Sequence, residues 1–253
     1  MASLTRGGAT IVVLVALLEV LTTGFGIAPV VLQAPSAVFR EIVDNVDLYV
    51  ANTWTTTHEV IVGFAISAVL GVIVAIAIVY SRFLQDTVYP VVLILQIVPK
   101  VAVAPLLVVF LGFGTTPKIV IAVLIAFFPV VVNTAVGLRV VEKEMVDLVR
   151  VLNGSRLQEF TRVRVPNALP FIFSGLKLAM TFAVIGAIIG EFVGANAGLG
   201  YLIILANSQM QTDMAYAAIT ILSLLGLAMY GAIGLLEKLI VPWADQQSDL
   251  ERA

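Results

Sequence analysis

The chain has 253 residues, of which 60% are apolar and only 12% are charged. Soluble domains are about 45–50% apolar and about 25% charged, so this chain has too little charge to solvate a globular surface and is predicted to be an integral membrane protein. Its net charge of −2 gives no sign of a nucleic-acid partner, the lack of cysteine excludes disulfides and thiolate catalysis, and the lone histidine, His58, excludes a multi-histidine metal site.

Six apolar segments are long enough to cross, as helices, a hydrocarbon core about 30 Å thick. They cover residues 9–26, 60–80, 88–111, 119–138, 171–193 and 215–241. Helices are expected because backbone polar groups in lipid must be satisfied within a segment, and no alternating strand pattern is present. We therefore predict an all-α membrane protein with six transmembrane helices in one domain, residues 1–253.

Two regions are predicted to depart from plain spans. Gln96, Pro99, Lys100 and Pro105 lie in the third span, so its hydrogen-bond ladder is expected to break twice. Non-helical backbone at membrane depth is tolerated only where protein buries it or it lines a watery cavity. After the fifth span, the glycine-rich residues 194–200 predict a turn, and residues 201–211 predict a short extracytoplasmic helix.

Basic residues set the expected orientation. Six Lys or Arg residues lie between spans four and five, whereas none lies between spans five and six. The basic loop, residues 139–170, is therefore expected in the cytoplasm. Both chain termini are expected there too, because the number of predicted spans is even.

Within this loop, residues 142–170 predict a pair of helices. Met145, Leu148, Val149 and Leu152 recur at helical spacing and make one apolar stripe. Such a stripe suits a groove on a partner protein. The alternative is a basic loop that is simply solvated. The residue pattern alone does not decide between docking on a partner and solvation.

The ends of the two helices carry their own signals. Asn153-Gly154 supplies residues that accept a positive φ, which is typical of a helix C-terminus. Ser155 with Gln158 three residues later is a capping-box pattern that starts a second helix. Pro166 and Pro170 are expected to end that helix before span five.

At this loop the sequence resembles the permease subunits of binding-protein-dependent ABC importers. Their cytoplasmic signature opens with Glu-Ala-Ala, continues after three residues with Gly, and closes with Ile-x-Leu-Pro. Here Asp147-Leu148-Val149 stands in place of the first part, Asn153 in place of the glycine, and Val165–Pro170 resembles the close. Both replacements are conservative, because Asp has the same negative charge as Glu and Asn, like Gly, readily adopts the left-handed backbone conformation.

Further stretches resemble the branch that imports nitrate, taurine and alkanesulfonates, thiamine-precursor pyrimidines and riboflavin. They are residues 34–38, 62–64, 98–105, 127–134 and 198–202. Within the branch, Glu59 before Val60 and the Pro99-Lys100 pair look more like the pyrimidine and riboflavin importers. The substrate itself is not fixed by the sequence.

The resemblance implies the type I ABC importer permease fold in a bacterial inner membrane. A homodimer of this chain would enclose one path, with two copies of an ATP-binding cassette subunit on the cytoplasmic side and a substrate-binding protein outside. The first helix of the loop would seat in a groove of the ATPase and couple it to transport. The residues implied at or near this contact are Met145, Asp147, Leu148, Val149, Arg150, Leu152, Asn153, Gly154 and Ser155.

The chain itself is expected to be neither an enzyme nor a cofactor binder. The phosphate-cradling pattern Gly-x4-Gly-Lys-Ser/Thr is missing, so ATP and Mg are expected on the separate ATPase subunit.

Polar side chains within the spans are the candidates for the translocation path or outer gate. Glu191 precedes the glycine turn and is expected to line the path or gate, with an interface position in headgroup water as the alternative. Lys100 either snorkels outward or contacts substrate. Gln96 and Asn133 are candidates whose alternative role is an interhelical hydrogen bond. For Glu19, in the first span, a hydrogen bond between helices or subunits is expected rather than a substrate contact.

Two other classes of function compete with the permease. A secondary transporter could use Glu19, Glu59 and Glu191 for ion coupling, but no paired repeat is detected and such a carrier has no need of the capped helix pair. An intramembrane enzyme lacks a plausible pair of nucleophile and base.

Overall fold

The structure is a computed structural model that describes residues 2–25 and 31–243, without the side chains of residues 2–8, Ile11 and Arg150. The described residues are helical apart from short connections. In chain order the helices are α1 (Ala2–Gly24), α2 (Pro35–Asp44), α3 (Val46–Tyr80), α4 (Arg82–Ile97), α5 (Lys100–Leu111), α6 (Thr115–Arg139), α7 (Lys143–Val151), α8 (Arg156–Gly194), α9 (Leu199–Gln209) and α10 (Thr212–Ile240).

The all-helical class is confirmed, but the number of six spans is not. Among the described residues, α3, α6, α8 and α10 are long and apolar enough to cross a membrane, and α4 with α5 makes a fifth crossing if the bent pair counts as one. The first span was predicted over residues 9–26, and α1 covers this stretch up to Gly24. Its described apolar part, Val12–Gly24, is shorter than the span length of about 20 residues.

The third predicted span breaks once rather than twice. α4 and α5 meet at an angle of 96° across Val98-Pro99. Val98 is extended, with ψ of 128°, because the proline ring disfavours a helical residue before it, and Pro99 is extended too. Pro105 instead lies inside α5 without ending it. One missing amide donor can be absorbed within a helix, whereas two consecutive extended residues turn the chain.

Small residues bring α3, α6 and α8 together. Gly63, Ser67, Gly71 and Ala75 recur every four residues along α3, and all four are buried. A Cβ on Gly63 would lie 2.7 Å from Cβ of Ala122 on α6. In lipid, apolar area alone does not drive helices together, so such close backbone approach is a main source of stability.

A second core lies at the end of the bundle where α3 begins. It packs α2, the first turns of α3, α9 and the start of α10 around residues such as Tyr49 and Leu202. Glu19 on α1 accepts hydrogen bonds from the Ser36 backbone N–H at 2.9 Å and from its hydroxyl at 2.7 Å. The expected interhelical role of Glu19 is therefore confirmed. The predicted turn and short helix over residues 194–211 are confirmed too, with the helix starting two residues earlier than expected.

The helix pair lies at the opposite end, where α6 ends. Here the prediction that Pro166 and Pro170 end the second helix is wrong, because α8 continues from Arg156 to Gly194 through a π turn at Phe160–Arg164. Val165 N–H donates to the carbonyl of Phe160, five residues back. A π turn leaves one carbonyl without an amide partner, so a proline, which has no N–H, fits directly after it. Residues 156–170 of the predicted loop therefore belong to the same helix as the predicted span 171–193.

Candidate functional site

The turn between α7 and α8 is fixed by local hydrogen bonds. Asn153 has a φ of 53°, and Gly154 N–H donates to the carbonyl of Val149 at 2.8 Å. A Cβ on Gly154 would lie 2.9 Å from that carbonyl oxygen, so the approach needs glycine. Ser155 Oγ accepts from the backbone N–H of Gln158, whose side chain accepts from Ser155 N–H in return. The predicted helix C-terminus and capping box are both confirmed.

One side of α7 presents apolar side chains that no described residue covers. Val146 points inward and is 7% exposed. The outward side carries Met145, Leu148 and Val151, which are 49%, 55% and 79% exposed, and Leu152 directly after the helix is 72% exposed. These four side chains are called the coupling face below. Val149, which belongs to the predicted stripe, is half-buried against Gly154 instead. Asp147 is exposed, and the side chain of Arg150 lies outside the described residues.

The start of α8 is tied to the end of α6. Arg164 Nη1 donates to the carbonyl of Leu138 at 3.0 Å, and the Asn167 amide donates to the carbonyl of Val140. These side chains satisfy carbonyls at the C-terminus of α6, which has no further helical turn to do so. α8 itself has 39 residues and is about 58 Å long. The helix pair and the far end of the bundle are thus joined by one continuous helix.

At that far end Glu191 is buried, and both oxygens of its carboxylate accept hydrogen bonds. Only 2% of it is exposed. One carboxylate oxygen accepts from the Thr56 hydroxyl on α3 at 2.7 Å, and the other accepts from Gly200 N–H at 2.6 Å. Thr56 Oγ1 in turn accepts from Leu199 N–H at 2.9 Å. The carboxylate therefore binds the first turn of α9 to α3 and α8.

The turn before α9 closes over this carboxylate. Gly198 has a φ of 119°, and its N–H donates to Asn52 Oδ1 on α3 at 2.7 Å. A Cβ on Gly200 would lie 2.7 Å from Glu191 Oε2. The glycines of the turn are thus required by close approach to Glu191.

A buried ion pair adjoins Glu191. Glu59 on α3 is fully buried and Lys118 on α6 is 5% exposed, with Lys118 Nζ 2.5 Å from Glu59 Oε1. Thr56, which donates to Glu191, lies three residues before Glu59 on α3, so the ion pair lies next to the Glu191 carboxylate. Buried charges need partners, and Lys118 is the partner of Glu59 here. Lys118 also packs against Gly190, the residue before Glu191. Asn52, Thr56, Glu59, Lys118 and Glu191 together are called the buried cluster below.

Sequence reasoning singled out Glu191 and Glu59 but did not place them in one cluster, and it did not identify Asn52, Thr56 or Lys118. Asn52, Thr56 and Glu59 recur at helical spacing on α3, but polar residues also stand at positions 53, 55, 57 and 58, so this spacing does not single out a buried face. Nothing in the sequence around Lys118 points to Glu59. Among the residues that the structure describes, no group of three or more His, Cys, Asp or Glu side chains could hold a metal ion.

The other candidates for the path lie apart from this cluster. Lys100 Nζ donates to the carbonyl of Gln96 at 2.7 Å and lies 4.6 Å from the ring centroid of Phe128, so it replaces the amide donor lost at the break between α4 and α5. The side chain of Gln96 is exposed. Asn133 donates to the carbonyl of Pro129 at 2.8 Å on its own helix. The structure therefore does not bring Gln96, Lys100, Asn133 and Glu191 into one site.

Comparison with known proteins agrees with this arrangement. The family described as "Binding-protein-dependent transport system inner membrane component" matches residues 67–242. A probable ABC transporter permease protein of Haemophilus influenzae is 38% identical over 203 residues, which cover 80% of this chain and 83% of that protein. The formylaminopyrimidine transport permease protein ThiX of Halalkalibacterium halodurans is 34% identical over 220 residues, covering 87% and 88%. An inward-facing structure of the MetNI methionine ABC transporter is similar in fold, with a TM-score of 0.66, 19% identity, and coverage of 76% of this chain and 95% of that one.

Proposed function

This chain belongs to the family of binding-protein-dependent transport system inner membrane components. We propose that one end of the bundle binds the ATPase and that the other end holds the outer gate. It is a multi-pass inner-membrane permease subunit of an ABC importer for small solutes. ATP hydrolysis belongs to a separate ATPase subunit, and a binding protein delivers the solute. Nothing favours the alternative of an ion-coupled secondary transporter.

The proposed contact with the ATPase is the coupling face on α7. The observation that carries this proposal is a row of four exposed apolar side chains on α7 and the residue after it, next to the capped start of α8 at the end of the bundle. Exposed apolar groups at such a position gain free energy when a partner covers them. The capped turn holds the face in one orientation, and α8 connects it to the buried cluster. ATP and Mg would bind to the ATPase and not to this chain.

The proposed assembly is a homodimer with two ATPase subunits, one on each helix pair. The break between α4 and α5 supports this arrangement, since Ile97 and Val101 on its two sides are 83% and 60% exposed. A second copy facing this break would enclose a path between the two chains, and Gln96 and Lys100 stay candidates for its wall. The basic loop supports cytoplasmic termini and an external turn at residues 195–198.

The buried cluster is proposed to hold the outer gate. Glu191 sits on the last turn of α8 and binds the turn that leads into α9. When the ATPase moves the helix pair, α8 would displace Glu191 relative to Thr56 on α3. Opening would then break the hydrogen bonds of the Glu191 carboxylate that are present in the closed gate. The gate would thus have a closed state with these bonds and an open state without them.

The proposed substrate is a small heterocyclic solute. Support comes from the relative named as a formylaminopyrimidine permease, which matches this chain along most of its length. The test is a thermal shift of the cognate binding protein with formylaminopyrimidine, nitrate and an alkanesulfonate. A shift with the pyrimidine alone is expected, and a shift with only one of the anions would contradict the assignment.

The docking proposal is tested by placing charge on the coupling face. Leu148→Asp combined with Leu152→Asp is expected to weaken binding of the ATPase at least about thirtyfold, as for a central interface residue. The measurement is co-purification of the ATPase with the permease from membranes. Thr161→Asp is the matched control, because Thr161 is exposed on the neighbouring π turn outside the coupling face. Undiminished ATPase in the double variant, with normal membrane insertion, would rule out the docking role.

A further inference from the structure

A polar pocket lies where α3 ends and α8 begins. Its volume is about 220 Å³, and its lining residues are Val79, Tyr80, Arg156, Glu159 and Arg164. The ring of Tyr80 packs edge-on against Phe160 of the π turn, with centroids 5.4 Å apart. This contact fixes one wall of the pocket against the start of α8.

The pocket carries one uncompensated positive charge. Arg164 donates through Nε at 2.8 Å to Glu159 Oε1 and pairs with the same oxygen through Nη2 at 2.7 Å. In a π turn, residues five apart lie on one face, which is why these two side chains meet. Arg156 is exposed and has no acidic partner among the described residues. Two guanidinium groups therefore face one carboxylate.

The position of the pocket matches the depth of lipid headgroups. Tyr80 is the last residue of α3, and Arg164 reaches the backbone of Leu138 near the end of α6. The spanning helices α3 and α6 end together here, so the pocket opens where the hydrocarbon core gives way to headgroups. Tyrosine is enriched at this depth, and arginine binds phosphate through paired N–H donors.

From this geometry we propose that the pocket binds a phosphate group, supplied by an anionic phospholipid, with Arg156 as its principal ligand and Tyr80 as a second donor. The bound headgroup ties the start of α8 to the end of α3. Since the same stretch of α8 carries the capped turn to α7, anionic lipid would stiffen the support of the coupling face. Phosphatidylglycerol is the expected lipid class, since its single negative charge balances the excess charge of the pocket.

The test is native mass spectrometry of the purified permease released from vesicles of phosphatidylglycerol or phosphatidylcholine. The parent should retain phosphatidylglycerol preferentially, and Arg156→Gln should lower this retention about fivefold, as expected for one basic group at a membrane surface. Arg162→Gln is the matched control, because Arg162 is an exposed arginine on the neighbouring π turn but lines a different pocket. Tyr80→Phe keeps the ring packing and should give a smaller loss.

A second arm separates the sources of phosphate. The melting temperature of the parent and of Arg156→Gln is measured with inorganic phosphate in place of lipid. A phosphate-dependent rise that Arg156→Gln abolishes, without preference for phosphatidylglycerol, would assign the pocket to free phosphate. Equal retention in Arg156→Gln and the parent, with no phosphate effect, would overturn the site. An equal loss in Arg162→Gln would also overturn it, since the lipid would then respond only to the overall basic surface.

Discussion

Glu191 and Gly198 approach so closely that no side chain fits between them. A Cβ on Gly198 would overlap with Glu191 Oε1, although six residues and a change of chain direction separate the two. The last turn of α8 and the turn before α9 therefore act as one unit. Any movement of α8 along its axis must either carry this turn with it or break the contacts of the carboxylate.

Gly198→Ala is expected to break this unit. The new methyl group would push the Glu191 carboxylate from the buried cluster and leave the donors Thr56 and Gly200 unpaired, where each hydrogen bond to a charged group contributes about 1.5–3 kcal/mol. The melting temperature of the purified protein should fall by about 6–12 °C more than in Gly114→Ala, since two lost hydrogen bonds amount to about 3 kcal/mol. Gly114 is the matched control, because its φ of 131° gives similar backbone strain but a Cβ there meets nothing within 4 Å. Equal losses in both variants would show that strain alone, and not contact with Glu191, requires glycine at position 198.

Glu191→Gln is expected to impair transport more than assembly. The amide can accept one hydrogen bond but presents N–H groups to the second donor, so the contact with Thr56 or with Gly200 is weakened. Uptake in reconstituted vesicles should fall about tenfold, since one such hydrogen bond contributes about 1.5 kcal/mol. Binding of the ATPase and ATP hydrolysis should remain.

The matched control for this variant is Glu41→Gln at the same end of the molecule. Glu41 accepts a hydrogen bond from the Tyr49 hydroxyl at 3.0 Å but lies outside the buried cluster. Its uptake should equal that of the parent. If Glu191→Gln instead prevents expression, the carboxylate is structural and the gate assignment is wrong.

Lys118→Met should destabilise the protein more than Glu59→Leu. Loss of Lys118 leaves two buried carboxyl groups facing each other, whereas loss of Glu59 leaves Lys118 beside Glu191. Removing one partner of a buried pair costs about 3–5 kcal/mol, and the double variant should lose much less than the sum. Thermal unfolding of the parent, both single variants and the double variant measures this coupling.

The Lys118→Met variant should also respond to pH. Protonation of a carboxyl group at low pH removes the repulsion between Glu59 and Glu191, so the deficit in melting temperature should be smaller at pH 5 than at pH 8. Glu59→Leu keeps one carboxyl group beside one ammonium group and should show no such recovery. A deficit in Lys118→Met that is independent of pH would show that Lys118 does not screen repulsion between the two carboxyl groups.

The proposed orientation is tested by cysteine labelling in this cysteine-free chain. Asn196 is exposed in the turn before α9, and Glu144 is exposed on α7. A cysteine at position 196 should react with an impermeant maleimide from outside the cell. A cysteine at position 144 should react only after permeabilisation. The reverse pattern would place the helix pair outside and remove the basis for ATPase docking.

The sequence by itself determined the features that depend on neighbouring residues. Composition predicted the membrane class, and helical spacing predicted α7 with most of its outward side chains. Asn153 and Ser155 predicted the turn between α7 and α8, because a left-handed residue and a capping box act within a few residues. The position of the helix pair along the chain therefore follows from local sequence signals alone.

Only the tertiary structure decided which distant residues meet and where helices end. Glu59, Lys118 and Glu191 come together because glycines and alanines let α3, α6 and α8 pack with their backbones nearly in contact. Pro166 and Pro170, which predict a helix end, lie within α8 because a π turn and side chains from α8 bonded to the end of α6 stabilise the continuous helix. Local preferences of about 1–3 kcal/mol decide a turn, but packing across the bundle can exceed them.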